Sequence, residues 1–127
     1  IYLEEIDLCK RLKKKSKKIY LDKNVLIHHL GGSSHNEIIN YEMELSRNWH
    51  WMWSTFYFNK KHYGYFYAYK KGTILLIKLT FKLIKNILLF NKEEINFILA
   101  ELKGLFASMI NKSSNYRPYK NVSITDK

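Results

Sequence analysis

The chain has one cysteine, one proline and five glycines in 127 residues. A single thiol, Cys9, closes no intrachain disulfide, which excludes a disulfide-built secreted scaffold and a cysteine-rich zinc module. So little proline and glycine excludes collagen-like and proline-rich architectures. Acidic residues are also few, 11 against 22 Lys and Arg, which leaves a formal net charge of +11. What is plentiful is aromatic: ten Tyr, seven Phe and three Trp, 16% of the chain. With 46% apolar and 26% charged residues the composition is that of a folded protein, and the length suits one domain with a usable core. A positive field of this size favours partners that carry phosphate: nucleic acid, anionic lipid or nucleotide sugars.

No charged leader followed by an apolar stretch opens the chain, so no signal peptide is read there. The start at Ile1, close before Glu4, Glu5 and Asp7, reads as a piece of a longer protein. Residues 3–15 have helical spacing: Leu3, Ile6, Leu8, Cys9 and Leu12 on one face, Lys10, Arg11, Lys13 and Lys14 on the other. Acids first and bases last match the helix dipole. Two short strands are expected next, Lys18 to Leu21 and Val25 to His29, around a turn at Asp22-Lys23-Asn24. A loop, Gly31-Gly32-Ser33-Ser34, follows, where glycine lets backbone approach a ligand closely. From about Asn36 to His62 the spacing of Ile38, Ile39, Met43, Trp49, Trp53 and Phe56 or Tyr57 reads as a long helix, interrupted or not, although the alternation Trp49, Trp51, Trp53 also fits a strand.

Residues 73–90 are the most apolar segment, yet a bilayer span is not expected. About a dozen apolar residues give about −6 kcal/mol of insertion energy, against about +9 kcal/mol for Lys78, Lys82 and Lys85. These three lysines share one helix face. That suits a helix lying in a membrane interface, with Leu76, Leu83 and Ile87 dipped in, or a core helix with one solvated stripe. Asn91-Lys92-Glu93-Glu94 then reads as an N-cap with a capping-box acid, opening a second amphipathic helix with a stripe through Ile98, Leu102, Leu105 and Met109. A frayed tail is expected from Asn111 onward.

Several groups could carry chemistry. Glu4, Glu5 and Asp7 stand at a helix start, where carboxylates are held ionised; they suit either proton abstraction from a hydroxyl or simple dipole complementation. His28 and His29 end a strand before the glycine loop, a place for a metal or phosphate ligand or for a purely structural histidine. Lys10 to Lys18 is a basic run of the kind that is a solvated face or a contact to phosphates.

The order of these segments resembles bacterial family-2 glycosyltransferases of the rhamnosyltransferase-like group. Tyr2-Leu3-Glu4-Glu5-Ile6-Asp7-Leu8-Cys9-Lys10-Arg11 is similar to their pattern Y-F-E-D-x-D-L-C-x-R. Val25 to Ser34 resembles their strand ending in H-x-G-G-x-S, and Arg47-Asn48 with Lys61-His62-Tyr63 resembles the R-N…K-H-Y helix that follows. The resemblance covers about the first half of the chain. It implies a GT-A fold, an α/β nucleotide-binding sandwich. Residues 1–35 would end the catalytic domain, 36–70 would pack on it as an aromatic-rich helical segment, and 71–127 would be basic amphipathic helices and tail. It also implies inverting transfer of a sugar from a nucleotide diphosphate sugar to a saccharide or lipid-linked acceptor, in surface polysaccharide synthesis on the cytoplasmic face of the inner membrane.

By the same resemblance Glu5 is the general base, with Glu4 and Asp7 as its alternatives because Glu stands where the family has Asp. His29, or His28 after a one-residue slip, would help hold Mg²⁺ or Mn²⁺ or the diphosphate, and Gly31, Gly32 and Ser33 would form the phosphate-approach loop. Lys78, Lys82 and Lys85 would face an anionic membrane; no nucleic-acid partner is expected. The family's D-x-D metal motif is missing from this sequence, so the chain alone should be inactive. The competing expectation is a non-catalytic basic module that binds anionic membrane or nucleic acid.

Overall fold

Among the described residues four α-helices supply the regular structure: α1 (Glu4–Lys14), α2 (Glu37–Tyr63), α3 (Tyr65–Leu88) and α4 (Lys92–Met109). The computed structural model describes residues 2–28 and 37–117. Local chemistry accounts for the helix ends. α1 carries Glu4, Glu5 and Asp7 in its first turn and Arg11, Lys13 and Lys14 in its last, the arrangement its dipole favours. Gly64 separates α2 from α3 at φ +87°, a backbone value that glycine adopts without a Cβ clash. The Asn91 side chain accepts the Glu94 N–H at 3.2 Å and caps α4 as expected.

The break at Gly64 turns the chain back, so that Phe56 of α2 meets Tyr69 and Gly72 of α3. Met52, Phe56, Ala68, Leu79, Ile98 and Leu105 form the core, with Leu75, Leu76, Leu83, Leu102 and Met109 packed around it. α2 packs most extensively on α4, and α3 lies against both. Two glycines permit this closeness. A Cβ on Gly104 would stand 2.1 Å from the Trp49 carbonyl oxygen, so α2 and α4 cross there backbone against backbone. A Cβ on Gly72 would meet the Phe56 ring at 3.1 Å.

The α/β sandwich implied by the resemblance is overturned: the described residues form a helical bundle and hold no strand. The expected turn is present, with the Asn24 N–H donating to Asp22 Oδ1 at 2.9 Å. The flanking segments, Lys18 to Leu21 and Val25 to His28, run as exposed irregular chain. Leu21, Leu26 and Ile27 are each more than 80% exposed. Two short segments with nothing to cover their apolar side chains do not make a stable hairpin in water. The tryptophan alternation also resolves to helix, because α2 runs unbroken through Trp49, Trp51 and Trp53.

Residues after α4 do not fray at once. The Trp53 indole N–H donates to the Lys112 carbonyl at 2.9 Å. His50 Nδ1 lies 2.8 Å from Ser114 Oγ, and Tyr116 stacks on Trp49 with ring centroids 5.6 Å apart. This segment therefore runs back along α2.

Candidate functional site

α1 joins the bundle without burying a single residue of its own. Ile6 and Leu8, expected on its core face, are about half exposed. Polar and aromatic contacts hold it instead. The Tyr2 N–H points to Ser54 Oγ at 3.4 Å, and the Tyr2 ring meets Trp51 edge-on. The Lys10 ammonium lies 3.4 Å from the Tyr63 ring centroid, a cation–π contact.

At the centre of this docking is Asp7. Its Oδ1 lies 2.7 Å from His62 Nε2, and Lys61 Nζ and Arg11 Nε approach its carboxylate at 2.8 Å. Hydrogen bonds from Lys61 and His62, and then Arg11, hold the Asp7 carboxyl well below the usual carboxylate range. An acid so held stays ionised and is a poor proton acceptor. Asp7 is thus the counter-ion that ties α1 to α2, and the alternative of Asp7 as a base loses support. The His62 side chain is only 2% exposed, its ring lies against Phe58, and its Nδ1 is buried with no hydrogen-bond partner among the described residues.

Beside this hub lies a cleft of about 300 Å³ between α1 and α2. Tyr2, Trp53, Tyr57 and Phe58 give it aromatic walls, and Glu4, Asp7, Lys61, Ser54 and Ser114 supply polar groups. Trp53 and Tyr57 are stacked with centroids 5.0 Å apart, and Tyr57 is 44% exposed. Burial at this edge raises the Tyr2 phenol pKa, so the phenol stays protonated at neutral pH and can donate a hydrogen bond. A concave site with aromatic faces and a few polar groups suits a ring that is apolar on its faces and hydroxylated at its edge.

The other sequence-expected residues fall out as follows. Glu5 is exposed in the first turn of α1 and makes no ion pair with a described residue. His28 is exposed in the irregular segment, and His29, Gly31, Gly32 and Ser33 lie outside the described residues. Lys78, Lys82 and Lys85 are exposed on α3, and Lys82 pairs with Glu94 at 3.0 Å. Among the described residues no group of three or more His, Cys, Asp or Glu side chains gathers to hold a metal ion. Asp7 does not fit that role, since its oxygens already receive three nitrogen donors.

Sequence reasoning gave no separate role to His62, Trp53 or Tyr57. The one available signal was the K-H-Y triplet at Lys61-His62-Tyr63, because a histidine four residues after Phe58 shares its helix face. Compared with known proteins, the chain matches no family model, no curated protein and no solved structure. No helix among the described residues is long and apolar enough to cross a membrane.

Proposed function

We propose that this chain forms the acceptor side of an inverting glycosyltransferase. The enzyme would move a sugar from a nucleotide diphosphate sugar to a hydroxyl of a saccharide acceptor. It would work in bacterial surface polysaccharide synthesis, peripherally on the cytoplasmic face of the inner membrane, where a lipid-linked acceptor is presented. One observation carries the reading: Asp7, from the Glu4-Glu5-x-Asp7 segment and already paired with Arg11 of its own helix, meets Lys61 and His62, from the K-H-Y segment. Two segments that resemble the same enzyme family, more than fifty residues apart, thereby converge on one carboxylate, next to a sugar-sized aromatic cleft.

In this reading Asp7 fixes α1, and Glu4 with the walls of Trp53 and Tyr57 holds the acceptor ring. Glu5 takes the proton of the attacking hydroxyl. The acceptor oxygen bonds to the anomeric carbon as the bond from that carbon to the phosphate oxygen breaks. The nucleoside diphosphate leaves with the electron pair. No step is routed through a metal.

The test is a transfer assay on the product of the whole reading frame, with nucleotide diphosphate sugars and saccharide acceptors, following nucleoside diphosphate release. Glu5→Gln is expected to cut turnover by ~10²–10⁴-fold with donor binding unchanged. Glu4→Gln is expected to raise the acceptor KM. Absence of transfer with every donor overturns the reading, and turnover within about threefold of wild type removes Glu5 from the proton-transfer step.

A further inference from the structure

Helix α3 is apolar on two opposite sides, and the bundle uses one of them. Ala68, Gly72, Leu75, Leu79, Leu83 and Asn86 face α2 and α4. On the far side Ile74, Ile77, Phe81, Ile84 and Leu88 follow one another at alternating spacings of three and four, the repeat of a continuous ridge. Each is between 42% and 73% exposed. Leu76 and Leu83, expected at the membrane surface, instead pack against the core. At the end of the ridge Phe90 is 88% exposed on a backbone held at φ +53°, a value that bulky residues seldom adopt. The turn between α3 and α4 thus presents a phenyl ring to the surroundings.

Along one margin of the ridge stand Lys71, Lys78 and Lys85, seven residues apart and therefore in line. Lys82 lies nearer α4, where Glu94 neutralises it. α3 contains no acidic residue. This charge pattern decides what covers the ridge. A second copy seated here would set lysines against lysines with no carboxylate of α3 to offset them, in a chain already at +11. A nucleic acid would satisfy the lysines and leave the aliphatic ridge in water. A bilayer with anionic headgroups satisfies both, since apolar side chains enter the acyl boundary while a row of lysines stays level with the headgroups.

We propose that α3 lies flat in the interface of an anionic membrane, with Ile77, Phe81, Ile84, Leu88 and Phe90 inserted and Lys71, Lys78 and Lys85 on the lipid phosphates. The proposal gives a defined surface to the membrane placement proposed above and does not depend on the transfer chemistry.

Flotation of the full chain with phosphatidylcholine vesicles, with and without phosphatidylglycerol, tests it. Binding is expected only where phosphatidylglycerol is present, and it falls as salt is raised. The double variant Lys78→Gln with Lys85→Gln should bind about thirty-fold more weakly. Phe81→Gln should lose about ten-fold or more. Both variants change exposed side chains, so far-ultraviolet circular dichroism should match the wild type. Equal binding to neutral and anionic vesicles overturns the proposal, as does no binding at all. A dimer by sedimentation that Phe81→Gln dissociates assigns the ridge to a second copy and overturns it too. Vesicle binding requires no sugar donor, so an enzyme that floats but transfers nothing defeats the transferase reading alone. One that transfers sugar to a soluble acceptor yet ignores vesicles defeats this proposal alone.

Discussion

His62 Nε2 lies 2.7 Å from Asp7 Oδ1, across 55 positions of the sequence, and this contact sets the place of α1. α1 buries no residue of its own, so its docking rests on charge and hydrogen bonding more than on apolar area. Such docking gives way when one ionic partner is lost and the other is left without its counter-charge. The position of Glu4 and Glu5 then depends on a carboxylate that is not itself a base.

Acid should release α1 before the bundle unfolds. Lys61, His62 and Arg11 hold the Asp7 pKa below its unfolded value, so its contribution is complete above about pH 4 and is lost as pH falls toward the depressed folded value. Hydrogen exchange resolved by segment should show α1 losing protection below about pH 4 while α2 and α4 keep theirs. Asp7→Asn should show the loss already at pH 7. Equal protection of α1 in the two proteins at pH 7 would sink the anchoring role.

Glu101 works in the opposite direction. It is half-buried, and its Oε2 has no hydrogen-bond partner among the described residues. Burial raises its pKa, offset in part by Lys82 and reinforced by Glu94. A folded pKa above the unfolded one means that the protonated form fits best below about pH 4.3 and that stability is lost as pH rises through the folded value. Glu101→Gln should therefore stabilise the chain at pH 7, by about 1 kcal/mol at most because water still screens the site. Denaturant melts at pH 7 and pH 4 check this, with the gain expected to shrink in acid.

Gly104→Ala is expected to destabilise the bundle. The new methyl would stand 2.1 Å from the Trp49 carbonyl oxygen, and backbone cannot swing aside as a flexible side chain does. A loss of about 1–3 kcal/mol follows from overpacking of this kind. Helix propensity alone predicts the reverse, a gain of up to about 1 kcal/mol for Ala over Gly. The sign of the change in a urea titration therefore decides whether the close crossing of α2 and α4 exists in solution.

Tyr57→Ala probes the cleft with little risk to the fold, because the residue is exposed and outside the buried core, with its ring stacked on Trp53. Loss of one aromatic face should weaken saccharide binding by roughly three- to ten-fold. Ligand-observed NMR with short oligosaccharides measures it. Unchanged binding would move the acceptor away from this wall.

Much of the helical framework was legible in the sequence, because helix signals are local. The 3.6-residue spacing in α2 and α4, the dipole-matched charges of α1 and the Asn91 cap are set by residues within a few positions of one another. Charge against apolar length in α3 also sufficed to exclude a bilayer span there. Lys18 to Leu21 and Val25 to His28 show the limit of local reading. Their β-branched and aromatic residues fit a strand, but a strand exists only with a neighbour to pair with, and the described structure offers none.

Tertiary structure alone decided the rest. In α3 apolar residues occur on both sides, so periodicity could not say that Leu76 and Leu83 turn to the core while Ile77, Phe81 and Ile84 stay outside. The packing of α2 and α4 made that choice. For the candidate site, the sequence by itself marked the acids Glu4, Glu5 and Asp7 as a group at a helix start. It did not separate the counter-ion from the candidate base. That separation required Lys61 and His62 to arrive from the far end of α2, and a contact between residues 55 apart is a property of the folded chain, with no trace in local spacing.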